Sequence, residues 1–301
     1  MITLISVCMC TYKRVHLKNT LESISNLKVP DGYDIEVIVV DNDEEKSGKE
    51  IVDSFVRDSG RNVKYISEPR KNIAIARNAY LEVASGEWLA TIDDDEVADK
   101  LWLDNLVRAA IDFDADIVFG NVKAHISDTA PAWVSQCGFF DRKEYPTGTE
   151  LTSGGTASTL IRSSALSKND IRFNEFFGHT GGEDSELFHR LHLLGYKLIY
   201  CNEAFVSENV ELDRLNLNYI FKRALRVGQT YSRYRYGEKS NYLAKSKYLV
   251  KCHLKLVSMS LLVLLTYLFG KSTYVKYLVK VADSIGKIGY FLTDKKIELY
   301  K

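Results

Sequence analysis

The sequence predicts an α/β fold, in which a mostly parallel β-sheet is flanked by helices and followed by a basic helical region. Two observations support this prediction. Strand-like and helix-like segments alternate as far as residue 115, which is typical of a parallel sheet with helices on both faces. From about residue 214 the chain becomes basic, and its apolar residues take helical spacing.

The first half of the chain supplies the strands of the parallel part. The β-branched run Ile35–Val40 suits a strand that is buried on both faces. Asn72 suits the N-cap position of the third helix, and Gly86 follows the end of that helix. In chain order we predict a strand over Ile2–Met9, a helix over Leu17–Leu27, a strand over Ile35–Val40, a helix over Lys49–Val56, a strand over Val63–Ser67, a helix over Asn72–Ala84 and a strand over Trp88–Ile92.

Beyond residue 115 the alternation is less regular. Glycines punctuate this part of the chain and separate its apolar segments. Here we predict a strand over Asp116–Ile126, a strand over Ala157–Ile161, a helix that opens at Gly181-Gly182-Glu183-Asp184 and runs to Leu194, and a strand over Lys197–Tyr200.

Charge divides the chain into two parts, although the net charge of the whole is zero. Residues 1–213 carry 22 Lys and Arg against 36 Asp and Glu, a balance of −14, whereas residues 214–301 carry 18 against 4, a balance of +14. We therefore predict a catalytic domain over 1–213 and a basic, partly apolar helical region over 214–301. The N-terminal residues lack the pattern of a signal peptide, so we expect a cytoplasmic protein.

Polar clusters follow three of the predicted strands. They are Thr11-Tyr12, Asp41-Asn42 and Asp93-Asp94-Asp95. In open parallel sheets, ligands bind outside the carboxyl ends of the strands. The sequence therefore predicts a binding site at this edge of the sheet.

The triplet Asp93-Asp94-Asp95 is the first candidate for chemistry. Clustered carboxylates repel each other unless a cation neutralises them, and hard oxygen ligands suit Mn²⁺ or Mg²⁺. Such an ion stabilises a diphosphate as a leaving group. The alternative is that Asp99 or its neighbours in this acidic stretch cap a helix near Leu101–Ala110. The place of the triplet after a buried strand favours the metal site.

Asp184 is the second candidate. It follows Gly181 and Gly182, which allow a tight backbone approach, and it stands where a general base would be needed at the mouth of the sheet. Taken alone, however, Asp184 is better explained by the simpler role of capping the helix Ser185–Leu194.

Three segments together resemble family-2 glycosyltransferases. They are Ile5–Thr20, then Pro69–Glu96 with the DxD motif of that family, and the stretch from Gly181 to Tyr200 with its ED motif. Their order and spacing match over roughly residues 4–210. The resemblance is strongest to transferases of bacterial exopolysaccharide and O-antigen assembly. It implies the GT-A fold and an inverting reaction.

The resemblance also implies a role for each matching residue. Asp184 would deprotonate the acceptor hydroxyl, Asp95 would ligate the metal, and Asp41 would contact the base of the nucleotide. The residues that would bind the nucleotide-sugar are Thr11, Tyr12, Arg14, Asp41, Asn72, Arg77, Asp93 and Asp94.

The reaction expected is transfer of a hexose from a nucleotide-sugar, most readily a UDP-sugar, to a saccharide or lipid-linked saccharide. The QxxRW motif of processive synthases is absent, and Arg226–Thr230 in that region does not match it, so a single addition is favoured. One alternative is a nucleotidyltransferase, but its Gly-rich loop after the first strand is missing. Another is a non-catalytic membrane adaptor, against which the intact Asp95 and Asp184 argue.

The C-terminal region contains the apolar run Leu256–Gly270, which is shorter than the roughly 20 residues of a spanning helix. Lysines and tyrosines surround it, as at a membrane interface. We expect association with the cytoplasmic face of the inner membrane, with a buried helix as the alternative. No nucleic-acid motif is present, so nucleic acid is not an expected partner.

Overall fold

A computed structural model describes residues 2–237 and 240–293 of the chain. The chain forms two units. The first combines Met1–Ala124, Arg142–Gly178 and Glu183–Asn209, and the second combines His125–Asp141, His179–Gly182 and Val210–Lys301.

The first unit contains an eight-stranded sheet with helices. Its strands are β1 (Thr3–Thr11), β2 (Tyr33–Asp41), β3 (Val63–Ser67), β4 (Trp88–Thr91), β5 (Glu96–Ala98), β6 (Ile117–His125), β7 (Thr159–Arg162) and β8 (Leu198–Asn209). Its helices are α1 (Leu17–Ser25), α2 (Lys49–Ser59), α3 (Ile73–Val83), α4 (Trp102–Asp112), α6 (Ser163–Ser167) and α7 (Glu183–Leu193), and α5 (Ala132–Gln136) belongs to the second unit.

The sheet has the order β3-β2-β1-β4-β7-β6-β8-β5. Strands β3, β2, β1 and β4 run parallel, which confirms the prediction from the first half of the sequence. From β4 onward the pairing of β4 with β7, of β7 with β6 and of β8 with β5 is antiparallel, so the complete sheet is mixed. The change in direction comes where the regular alternation of strands and helices in the sequence stops.

Strand β1 is buried on both faces of the sheet, as a central parallel strand must be. Ile5, Val7 and Met9 pack with α1 and α4 in one hydrophobic core. Cys8, between them, points to the other face and packs with α3 and α7 in a second core. The alternation of side chains along the strand therefore produces two helix layers from one apolar run.

The second unit contains three long helices, α8 (Leu217–Tyr236), α9 (Tyr242–Thr266) and α10 (Lys271–Leu292). Glycines permit the close packing of α8 on α10. A Cβ at Gly228 would overlap the backbone carbonyl oxygen of Asp283, and a Cβ at Gly286 would overlap that of Leu225. Backbone therefore lies directly on backbone at both places, where any larger residue would force the helices apart.

Helix α9 leaves many of its apolar residues exposed, although others, such as Leu256 and Leu262, are partly buried. By its length and composition alone, the segment Tyr242–Phe269 could cross a membrane. Only 11% of its most apolar 18 residues is buried. The alternative of a buried core helix is therefore not supported. Cys252 is the one fully buried residue of α9 in the part of the chain that is described.

Candidate active site

The ends of the parallel strands bring the predicted residues to one edge of the sheet. Thr11 ends β1 and stands opposite Asp41, which ends β2. Strand β4 pairs with β1 up to Thr91, just before the acidic triplet. The turn after the triplet leads into β5 at Glu96 rather than into a helix, and α4 begins later without a side-chain cap. The triplet itself therefore caps no helix. Asp99, by contrast, accepts a hydrogen bond at its Oδ1 from the N–H of Leu101, just before α4, at 2.9 Å, so the capping alternative is supported for Asp99 but not for the triplet.

The side chain of Asp41 is fully buried and accepts hydrogen bonds from neighbouring residues. Its Oδ2 accepts from the backbone N–H of Gly48 at 2.7 Å and from the hydroxyl of Tyr65 at 2.7 Å. Its Oδ1 accepts from the backbone N–H of Asp43 at 3.2 Å. Desolvation, together with the bond to Asp41, raises the pKa of Tyr65 well above its usual value. These contacts hold the carboxylate in a single orientation.

Asn72 is the N-cap of α3, as predicted. Its Oδ1 accepts hydrogen bonds from the N–H groups of Ala74 and Ile75. Its own backbone N–H donates to Oδ1 of Asn42, the residue after β2, at 3.1 Å. Asn72 thus ties the start of α3 to the carboxyl end of a strand, and this contact was not predicted from the sequence.

Tyr12 lies further out than Thr11. Thr11 is buried, whereas Tyr12 is 38% exposed. The ammonium group of Lys71 lies 4.7 Å from the centre of the Tyr12 ring, and that of Lys13 lies 5.7 Å from it. The ring is therefore an exposed aromatic surface flanked by two positive charges, which can stack on a base beside an anionic group.

Arg77 joins the acidic triplet to the start of α7. Its guanidinium lies 3.5 Å from Oδ1 of Asp93 and forms an ion pair with the buried Glu183. Glu183 was not predicted as a site residue, although it stands next to Asp184 in the sequence. A buried arginine that is paired on two sides provides a fixed positive charge at the strand ends.

Asp184 lies in the first turn of α7, which begins at Glu183. It is therefore inside the helix rather than at its N-cap. Its Oδ1 accepts a hydrogen bond from the backbone N–H of Ser185 at 2.6 Å, and its Oδ2 lies against Gly155, which has no side chain to block it. The charge of Asp184 acts on both Asp93 and Arg77, which places the three groups in one electrostatic cluster.

The three carboxylates of the triplet have different surroundings. Desolvation raises the pKa of Asp93 to about 6, against the opposing effect of Arg77, with further increases from Asp95 and Asp184. Its side chain is nevertheless 44% exposed, so it stays accessible to a ligand. Asp95 lies with its Oδ2 3.5 Å from Nη2 of Arg14.

Asp94 points into the protein. Desolvation raises the pKa of Asp94 to about 7, while the nearby Thr11 hydroxyl and the charge of Arg14 act in the opposite direction. Through Asp94, the triplet thus lies close to the end of β1. Together, these contacts bring Thr11, Arg14, Arg77, Asp93, Asp94, Asp95 and Asp184 into one neighbourhood.

Two further glutamates enter this neighbourhood that the sequence did not indicate. Glu96 is fully buried, and its Oε2 accepts a hydrogen bond from the backbone N–H of Asp93 at 2.9 Å. Glu208 on β8 stands opposite Glu96 on β5, and its charge raises the pKa of both Asp93 and Glu96. More than 100 residues separate Glu96 from Glu208 in the chain, so only the pairing of the two strands reveals the contact.

The carboxylates fit a divalent cation in charge but do not form a complete cage. Among the described residues, no group of three His, Cys, Asp or Glu side chains is arranged to hold a metal ion. The raised pKa values of Asp93 and Asp94 mean that their negative charges are poorly compensated by the protein. A cation would relieve this repulsion, and its remaining oxygen ligands would come from a bound diphosphate.

The glycines before α7 belong to the second unit. Gly181 and Gly182 have φ values of 72° and 93°, which favour glycine. The residue before them, Thr180, accepts hydrogen bonds at its carbonyl from Arg226 at 2.8 Å and at its hydroxyl from Arg233 at 2.9 Å. Helix α8 thus fixes the backbone of this short segment within its own unit.

Two solved structures share this architecture. The mannosyltransferase PcManGT from Pyrobaculum calidifontis, in complex with GDP-Man and Mn²⁺, matches with a TM-score of 0.63 at 17% identity, over 95% of this chain and 87% of that one. S. aureus TarS 1-349, in complex with UDP-GlcNAc, matches with a TM-score of 0.55 at 15% identity, over 96% and 91%. The GT-A fold implied by the resemblance is confirmed.

Sequence comparisons give the same family. The succinoglycan biosynthesis protein ExoM of Rhizobium meliloti is 36% identical over 229 residues, which are 76% of this chain and 74% of that protein. The glycosyltransferase GlyG of Streptococcus pneumoniae is 26% identical over 195 residues, 62% of this chain and 64% of that protein. The profile of the family described as Glycosyl transferase family 2 matches residues 6–169, more than half of the chain. The protein is therefore a family-2 glycosyltransferase of the kind found in bacterial polysaccharide synthesis.

Proposed function

We propose that this glycosyltransferase moves one hexose from a nucleotide-sugar to an acceptor hydroxyl, with inversion at the anomeric carbon and with a divalent metal. The observation that supports this proposal is the neighbourhood of Arg14, Arg77, the acidic triplet and Asp184 at the carboxyl edge of the sheet. It combines positive groups for a diphosphate with a carboxylate for a proton.

The nucleotide would occupy the ends of β1 and β2. The exposed ring of Tyr12 offers a stacking surface. Asp41, predicted to contact the base, is fully buried and both its oxygens accept hydrogen bonds within the protein, so we propose that it shapes the pocket from beneath and does not contact the base directly. Thr11 and Asn72 shape the floor of this region. PcManGT was solved with GDP-Man and TarS with UDP-GlcNAc, so a nucleotide-sugar is the donor class, and we propose a UDP-sugar.

The diphosphate would lie between the acidic triplet and the arginines. Asp95, supported by Asp93, would hold Mn²⁺ or Mg²⁺, whose charge stabilises the departing diphosphate. Arg14 lies 3.5 Å from Asp95 and is partly exposed, so its guanidinium group can turn from the carboxylate to a phosphate oxygen. Arg77 is held by Asp93 and Glu183 and would act on the diphosphate as a fixed positive charge.

Asp184 would act as the general base. The acceptor oxygen attacks the anomeric carbon from the side opposite the diphosphate, the new C–O bond forms, and the bond between the sugar and the diphosphate breaks. The hydroxyl proton passes to Asp184 and the electron pair leaves with the nucleoside diphosphate, so the step balances. Gly155 beside Asp184 leaves room for the acceptor to approach its Oδ2.

The acceptor and the place of reaction follow from the rest of the chain. The chain lacks the QxxRW motif, which favours one addition per acceptor. We propose a saccharide or lipid-linked saccharide as acceptor, in line with the printed role of ExoM in succinoglycan biosynthesis. The basic C-terminal region would keep the enzyme at the cytoplasmic face of the inner membrane.

Asp184→Asn tests the proposal. Asparagine keeps the size of the side chain and can still accept the hydrogen bond from Ser185, but it cannot take a proton. We expect normal donor binding, an unchanged melting temperature and a kcat lower by at least about a hundredfold at saturating donor. The matched control is Glu186→Gln in the same helix, which breaks only the ion pair with Arg190.

An Asp184→Asn enzyme that turns over within a few-fold of wild type would exclude Asp184 as the base. A screen of nucleotide-sugars for metal-dependent binding, followed by product analysis, identifies the donor. Release of pyrophosphate instead of a nucleoside diphosphate would favour a nucleotidyltransferase. Absence of any donor turnover with a range of acceptors would favour a non-catalytic adaptor.

A further inference from the structure

Helix α9 carries a continuous apolar strip on its exposed side. We call this the α9 stripe. Its members are Val250, Leu254, Val257, Leu261 and Leu264 of α9, together with Leu268 in the 3₁₀ turn Tyr267–Phe269 that directly follows α9. The spacing of three or four residues puts the five members within α9 on one face of the helix. Each is between 56% and 88% exposed. A row of aliphatic side chains of this length is unusual on a soluble surface and indicates a surface that is covered in use.

The charged residues of α9 itself are all basic. Helix α9 holds Lys245, Lys247, Lys251 and Lys255 and no acidic residue. Beyond the other end of the stripe, Lys271 and Lys276 are exposed on α10. Positive charge therefore stands at both ends of the apolar row, as needed to contact anionic headgroups on either side of a membrane-embedded face.

The length of the uncharged stretch distinguishes two ways of meeting a bilayer. Leu256–Gly270 has 15 residues, which as a helix measure about 22 Å at 1.5 Å per residue, less than the roughly 30 Å of a hydrocarbon core. Spanning would draw Lys251 and Lys255 into the apolar layer. Lys255 also forms an ion pair with Asp283 of α10 at 3.1 Å, which ties this part of α9 to its own unit.

We infer that α9 lies in the plane of an anionic membrane, with the α9 stripe immersed in one leaflet and the flanking lysines among the headgroups. An amphipathic helix in this position buries its apolar face about 5 to 10 Å below the surface. The inference rests on the membrane location proposed above and specifies the face that makes the contact. It does not depend on the proposed sugar transfer.

A second copy of the chain is the competing occupant of this face, because spacing of three and four residues also suits a helix pair. Charge argues against it. Each copy of α9 would bring four lysines and no acidic side chain to the contact. An anionic lipid surface supplies the missing negative charge, and a second copy does not.

Flotation of the full-length protein with vesicles of phosphatidylethanolamine and phosphatidylglycerol tests the inference. Wild type should float with these vesicles, should float far less with phosphatidylcholine alone, and should be released in part by high salt. The double variant Leu261→Asp, Leu268→Asp should lose at least about tenfold in vesicle affinity, since two apolar side chains that would enter the leaflet are replaced by charged ones. Lys247→Glu with Lys251→Glu should weaken binding to anionic vesicles only.

Leu212→Asp is the matched control, because Leu212 is 69% exposed in the same unit but lies outside the stripe. Equal flotation of wild type and the Leu261→Asp, Leu268→Asp variant would overturn the inference. A second result would also overturn it. If wild type does not bind vesicles but forms a dimer in lipid-free buffer, and if this variant is monomeric there, then the face contacts a second copy of the chain. Turnover with a soluble acceptor is measured in parallel. Absence of turnover in wild type and in every variant would contradict the proposed function but not the membrane inference.

Discussion

Glu36 on β2 is a carboxylate held in its ionised form beside the sheet. Its Oε1 accepts hydrogen bonds from the hydroxyl of Ser6 and from the N–H and hydroxyl of Ser85, and its Oε2 lies 2.6 Å from the ammonium of Lys64. Desolvation acts to raise the pKa of Glu36, but these partners outweigh it and lower the pKa to about 2. The folded state therefore favours the charged form more than the unfolded chain does.

Glu36→Gln should consequently destabilise the protein at pH 7 by about 2 to 3 kcal/mol. Because the folded pKa is depressed, the stabilisation is complete above the unfolded value near 4.5 and is lost as the pH falls towards 2. Urea unfolding of both proteins across this range measures the effect. A difference that stays constant between pH 5 and pH 2.5 would contradict the assignment of the stabilisation to the ionised carboxylate.

Asp95 is expected to govern metal-dependent donor binding. Asp95→Ala should weaken binding of the donor in Mn²⁺ by at least about tenfold and should abolish the difference between binding with Mn²⁺ and binding with chelator. Titration calorimetry measures both. The control Asp99→Asn changes a nearby carboxylate whose observed role is to accept a hydrogen bond from the N–H of Leu101. The metal assignment fails if the two variants bind the donor alike.

Residues near the strand ends were easier to predict than their partners. The local sequence placed Asp41, Asn72 and the acidic triplet correctly at the edge of the sheet, because a strand followed by polar residues has few alternatives. Glu96 and Glu208 were missed, since their meeting depends on the pairing of β5 with β8. Long-range pairing of this kind leaves no periodic signal in the sequence.

At the scale of elements, the parallel strands and their helices were predicted to within a few residues. The second half was harder. β5 has three residues, too few for a pattern, and β8 continues to Asn209, well beyond the predicted end at Tyr200. Polar residues in the outer part of β8 concealed it as a strand, because one face of that part is not packed in the core.

The packing of α8 on α10 makes a sharp prediction within one helix. Gly286→Ala should destabilise the protein by about 1–3 kcal/mol, because the new methyl group would overlap the carbonyl oxygen of Leu225. Gly289→Ala, three residues further along α10, should be neutral or stabilising by up to about 1 kcal/mol, since nothing lies within 4 Å of its Cβ position.

Thermal unfolding of these two variants decides the point. Opposite signs for the two changes support direct backbone contact between the helices. Equal effects would mean that helix propensity alone governs both positions and that α8 and α10 are further apart than described. The tyrosine pair Tyr236 and Tyr248, whose ring centres are 3.9 Å apart in the same unit, provides a spectroscopic signal for loss of packing.

At the scale of the whole molecule, chemistry and surface attachment are assigned to different units. All the residues proposed for the donor, the metal and the base lie within the first unit, and the α9 stripe lies in the second. The change of charge near residue 214 already indicated two tasks in the sequence. The exposure of α9 could not be predicted from the sequence, because an apolar run has the same pattern whether it is buried or in solvent.

The two tasks should therefore be separable by mutation. Asp95→Ala should float with anionic vesicles as well as wild type does, and the Leu261→Asp, Leu268→Asp variant should bind the donor with unchanged affinity. Vesicle flotation and donor titration on the same preparations give all four values. A parallel loss of both properties in either variant would show that the two sets of residues are not independent.

The way the chain alternates between its two units has a consequence for its synthesis. Residues of the first unit run as far as Asn209, with two short excursions at His125–Asp141 and His179–Gly182. Neither unit is therefore encoded by one continuous stretch of the gene. Exchanging a single continuous segment with another protein would disrupt both units. On the ribosome, the last residue of β8 is translated 33 residues before Tyr242, the first residue of α9. All residues of the sheet are therefore synthesised before the helix that we infer to contact the membrane.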